Sequence, residues 1–99
     1  MLNICKTTDN ENVRIALEGD LDTITSPEFE KELKDSLDGA ASLTLDLGKL
    51  EYISSAGLRV LLVGQKIMNQ QGEMKVVNVS ETIMEIFEVT GFSDILTIE

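Results

Sequence analysis

Two stretches of this chain alternate between apolar and polar residues. Val13, Ile15 and Leu17 are separated by Arg14 and Ala16, and Leu43, Leu45 and Leu47 by Thr44 and Asp46, the two-residue period of strands with one face buried. A weaker alternation runs from Leu2 to Thr7, and Asp9-Asn10-Glu11-Asn12 supplies turn residues that join it to the second run as an antiparallel hairpin. After Leu17 the period changes. Phe29, Leu33 and Leu37 fall four apart on one helix face and Glu30 precedes Lys34 by four on another. Pro27 suits a first helical turn that the hydroxyl of Thr25 or Ser26 can cap, and Gly39 closes the segment.

From Leu58 to Met68 apolar residues cover most of the helix circumference, which predicts the most enclosed helix of the fold, stopped by Gly72. The valines of Met74 to Val79 favour a fourth strand. Ser80 caps a third helix whose Ile83, Ile86 and Phe87 form one stripe ending at Gly91, and Ile95 to Ile98 supplies a last strand. The order is β-β-α-β-α-β-α-β. Right-handed crossovers between successive parallel strands keep their helices on one face, so the expected fold is α/β, a mixed, mostly parallel sheet covered mainly on one side. With no repeat, low-complexity stretch or long linker, residues 1–99 read as a single domain.

Composition changes this picture chiefly by exclusion. Eighteen acidic against eight basic residues give a formal net charge of -10, which disfavours nucleic acid and anionic membrane as partners. There is no histidine, so a Ser-His-Asp or Cys-His arrangement and histidine metal sites are excluded. Cys5 is the only cysteine, which rules out an internal disulfide and a thiolate metal cluster and points to a reducing, cytoplasmic setting. The amino terminus has neither the basic start nor the apolar run of a secretory signal, and no segment reaches membrane-spanning length. Ile53, not glycine, stands two before Ser55, so there is no nucleophile elbow, and Gly64, Lys66 and Gly72 are wrongly spaced for a P-loop. No metal, cofactor or catalytic group is expected, and the chain reads as a non-enzyme.

What remains is the junction Tyr52-Ile53-Ser54-Ser55-Ala56-Gly57-Leu58, where the third strand hands over to the second helix. Unpaired helix-start amides attract anions there, and serine is also an ordinary N-cap. Ala56 and Gly57 keep the junction uncluttered for a close neighbour.

Together with Gly19-Asp20-Leu21-Asp22 and the element order, this junction resembles STAS domains of the anti-sigma factor antagonist type, over nearly the whole chain. The resemblance implies a bacterial partner switch. The unphosphorylated protein binds an anti-sigma factor that is also a serine kinase and so frees sigma factor, phosphorylation ends that binding, and a phosphatase reverses it. By position the acceptor matches Ser55, with Ser54 the second choice or a cap, since family members often carry aspartate where Ser54 stands. The resemblance places Asp20, Leu21 and Asp22 beside the acceptor, as partner-facing residues with Ser54, Ala56, Gly57 and Arg59. Asp20 and Asp22 also read as a solvated turn, and Arg59 as a solvent-facing side chain or a partner for Asp22 or for a phosphate. Two other readings stay open: a constitutive STAS adaptor subunit of a larger assembly such as a transporter complex, and a module for a small ligand or nucleotide.

Overall fold

The computed structural model describes residues 1–99. The hairpin forms as its turn residues require: β1 (Leu2–Asp9) and β2 (Asn12–Leu21) are antiparallel, with Asp9 opposite Asn12 and Leu2 opposite Gly19. Asn10 takes the left-handed conformation (φ 57°) that asparagine tolerates in a tight turn. α1 (Ser26–Leu37), β3 (Ser42–Ile53), α2 (Ser55–Gln71), β4 (Glu73–Val77) and α3 (Glu81–Thr90) follow. The sheet order is β1-β2-β3-β4, with β3 parallel to both β2 and β4.

The expected last strand is corrected. A 3-10 turn occupies Phe92–Asp94, and only Ile98 bridges to Val76 on the outer edge of β4. Val76 donates to the Thr97 carbonyl and Glu99 donates to the Val76 carbonyl, so the apolar run Ile95–Ile98 touches the sheet without becoming a full strand.

The inward residues of the strands form one cluster of 23 buried side chains with Phe29, Leu33 and Leu37 of α1, Leu58, Val60, Leu61 and Met68 of α2, and Ile83 and Phe87 of α3. Burying apolar surface of this kind is the main force holding helices to sheet. The opposite face of the sheet is polar. On it Asp46 accepts from Arg14 at 2.8 Å, from Asn78 at 3.1 Å and from the backbone of Gly48 at 2.9 Å. No helix is long and apolar enough to cross a membrane.

β3 is longer than its alternation predicts. Its pairing with β2 slips twice, between Ala16 and Glu18 and again between Gly19 and Asp20, and β3 supplies the extra residue each time. Leu47, Leu50 and Ile53 therefore all stay buried at a spacing of three, which the two-residue period alone does not reveal. These bulges carry β3 to Ile53 and deliver the chain into the serine junction.

Candidate functional site

The carboxyl ends of the parallel strands β2 and β3 meet at one end of the sheet. Asp20 lies opposite Tyr52 and Leu21 opposite Ile53, and the Ser54 N–H donates to the Leu21 carbonyl at 2.9 Å. The loop after β2 and the start of α2 are thus joined through backbone, at the place where open α/β sheets present ligand sites.

The two serines have different jobs. Ser54 has extended backbone and its Oγ accepts from the Gly57 N–H at 3.4 Å, while its carbonyl accepts from the Leu58 N–H at 2.9 Å. It is the N-cap of α2. Ser55 is the first helical residue; it is exposed, and its hydroxyl has no hydrogen-bond partner in the fold. The first turn of α2 contains no acidic residue, so the positive end of the helix dipole is unneutralised by its own side chains.

Three expected contact residues are placed otherwise. Leu21 is fully buried, and the β-period predicts this, since Val13, Ile15, Leu17 and Leu21 share odd positions on one face. Gly57 is buried too: a Cβ there would meet Leu21 Cγ at 2.8 Å, Ile53 Cγ1 at 2.9 Å and the Leu21 carbonyl oxygen at 2.9 Å. Its smallness serves the seating of α2 on β2 and β3 rather than the approach of a neighbour. Arg59 neither pairs with Asp22 nor simply faces solvent; its guanidinium lies 2.9 Å from Glu30 Oε1, and Lys34 lies 3.0 Å from Glu30 Oε2. Ala56 is half-buried beside Ser55.

The two aspartates also separate. Asp22 Oδ1 accepts from the N–H groups of Ile24 and Thr25, each at 3.0 Å, and from the Thr25 hydroxyl at 3.2 Å. The Thr25 hydroxyl accepts from the Asp22 N–H at 2.9 Å and donates to the Asp20 carbonyl at 2.8 Å. Thr25 therefore does not cap α1, and neither does Ser26, whose hydroxyl is buried without a partner; the first turn is entered instead through the Ser26 N–H donating to the Asp22 carbonyl at 2.9 Å. The hydrogen bond from the Thr25 N–H is the leading cause that holds the Asp22 carboxyl below the usual range. Asp20 has no such commitment: its backbone N–H donates to the Met1 carbonyl, and its half-buried side chain bonds to nothing.

Two residues not singled out by sequence complete the surface. Ile24 is 87% exposed in the loop, and Tyr52, 50% exposed, points away from the core between buried Leu50 and Ile53. The signal for Tyr52 was its position out of phase with those two. No group of three or more cysteine, aspartate or glutamate side chains comes together as a metal site.

Comparison with known proteins agrees with this geometry. The STAS domain family model matches residues 3–99. A Bordetella bronchiseptica protein named as an anti-sigma factor antagonist, BtrV, is 39% identical over 84 residues, 83% of this chain and 72% of its own length. The anti-sigma-B factor antagonist of Staphylococcus aureus is 33% identical over 97 residues, 96% of this chain and 90% of its own. The Bacillus cell fate determinant SpoIIAA, solved in its phosphorylated form, shares the fold with a TM-score of 0.77 at 17% identity, over 98% of this chain and 91% of that one. A polar-faced sheet, a capped junction with a free serine and these relatives converge: the chain belongs to the STAS domain family, among the anti-sigma factor antagonists.

Proposed function

We propose that this protein is a phosphorylation-controlled partner switch. Unphosphorylated, it binds an anti-sigma factor that is also a serine kinase and so releases sigma factor; phosphorylation of Ser55 ends that binding, and a phosphatase restores it. The observation that carries the reading is the division of labour at the junction. Ser54 is committed to capping α2, whereas Ser55 is exposed with a free hydroxyl. A phosphate there adds about -1.5 to -2 charges at a helix start that carries no acid of its own, where negative charge is tolerated, so the fold survives while the surface gains negative charge.

The surrounding surface suits a protein partner better than a small molecule. Ile24 and Tyr52 offer exposed apolar area at the acceptor end of the sheet, and Asp20 offers an uncommitted carboxylate beside them. The names of the relatives support an anti-sigma factor as that partner, and the phosphorylated Bacillus structure supports phosphate as the signal. The test is intact mass after incubation with ATP and candidate serine kinases of the anti-sigma type. One added phosphate is expected in wild type and in Ser54→Ala, and none in Ser55→Ala. Phosphate that persists in Ser55→Ala and disappears in Ser54→Ala would reverse the assignment.

A further inference from the structure

Ser55 and Arg59 stand four residues apart on α2, both exposed, which places their side chains on the same stripe of the helix surface. We propose that Arg59 is a built-in receptor for the phosphate of Ser55, giving up its ion pair with Glu30 to bind it. This rests on the reading of Ser55 as acceptor and adds what the chain itself does once modified.

The spacing has the favourable polarity, with the anion one turn N-terminal to the cation. Arginine's planar fork matches a phosphate with two parallel hydrogen bonds, which a point-charge ammonium does not. On α2 Arg59 is also the cation nearest Ser55: the next, Lys66, lies about three turns from that serine.

The present partner can release it. Glu30 holds Lys34 through Oε2 at 3.0 Å while Arg59 takes Oε1 at 2.9 Å, so the carboxylate keeps a counter-ion when the guanidinium leaves. The Arg59 side chain is 62% exposed and has room to swing. One carboxylate shared between two cations competes poorly with a phosphate carrying up to two charges. Lys34 on α1, the α-ammonium of Met1 beside the loop, and Asp20 and Asp22 in the loop are the other charged groups at this end; the aspartates repel a phosphate, which makes a cation on its own helix more useful. The exchange removes the Arg59 link between α1 and α2, so modification changes the pattern of charge on two helices rather than at one atom.

The experiment installs phosphoserine at position 55 by codon reassignment, which needs no kinase, and follows the phosphorus resonance through its second ionisation. The wild-type background should ionise roughly half a unit lower than Arg59→Gln, as expected for an i,i+4 pair with a multiply charged anion. Arg59→Lys, which keeps the charge and loses the fork, should fall between. The Arg59 Nε resonance should move on phosphorylation. Equal phosphate ionisation in wild type and Arg59→Gln overturns the proposal. Absence of kinase-dependent mass gain would count against the acceptor assignment alone and leaves this titration unaffected, so the two failures are distinguishable.

Discussion

Gly57 and Leu21 touch so closely that no side chain fits between them: a Cβ on the glycine would sit 2.8 Å from Leu21 Cγ and 2.9 Å from its carbonyl oxygen. The same carbonyl receives the Ser54 N–H. The start of α2 is therefore seated on the end of β2 by packing at Gly57 and by a hydrogen bond from Ser54, three residues earlier.

Gly57→Ala should destabilise the protein by about 1–3 kcal/mol, because Leu21 and Ile53 are themselves buried and the carbonyl is backbone, so neither can move cheaply. Chemical denaturation with unchanged slope and a lower midpoint is the expected result. Wild-type stability would show that the junction has slack.

The two serines should separate by stability. Ser54→Ala removes the cap on Gly57 N–H and should cost about 0.5–2 kcal/mol. Ser55→Ala removes an unbonded surface hydroxyl and should stay within about 0.5 kcal/mol of wild type. Paired melting curves check this, and the order reversed would mean that the cap is Ser55.

Much of this architecture was legible in the residues, and the parts that were not have physical causes. The first four strands, the three helices and their order followed from periods of two and nearly four, but the apolar run Ile95–Ile98 did not become the expected last strand and only bridges to Val76. The cap did not, because serine is favoured at an N-cap wherever it stands and only backbone geometry separates Ser54, extended, from Ser55, helical. The inward positions of β3 beyond Leu47 were hidden because two bulges turn its inward spacing from two to three at Leu47, Leu50 and Ile53. Leu21 was expected to face the partner because the resemblance places its loop beside the acceptor, although its place in the odd-numbered series with Leu17 marks it as core. The Arg59–Glu30 pair joins residues 29 apart, and no local pattern encodes it.

Asp20 and Asp22 should behave differently when altered. Asp22→Ala removes the acceptor for two backbone N–H groups and should lower the melting temperature, while Asp20→Asn should leave it unchanged. Asp20→Asn should instead weaken binding to the anti-sigma factor roughly fivefold and flatten its salt dependence, as loss of one interfacial charge does. Calorimetry at two salt concentrations measures both, and unchanged binding would make Asp20 a turn residue only.

Acid should loosen the fold through three carboxyls whose ionisation is held below the usual range. Asp22 is held there first by the Thr25 N–H, Glu30 by Lys34, and Asp46 by the Gly48 N–H. Because the folded values lie below the unfolded ones, their contribution is present above about pH 4 and is lost as pH falls through the folded values. Melting temperature should therefore drop below that pH, and less steeply in Asp46→Asn. A parallel decline in that variant would remove Asp46 from the account.

The first residue has a practical bearing on how such experiments are built. Met1 offers its carbonyl to the Asp20 N–H at 3.1 Å and presses on Gly19, where a Cβ would collide with that oxygen. Any tag fused ahead of Met1 would emerge from the end of the sheet that carries Ser55, Tyr52 and Ile24, and would shade the surface being assayed. Glu99, bound alongside Val76 on the outer edge of β4 and two strands away from β2, is the better anchorage for an affinity handle or a fluorophore.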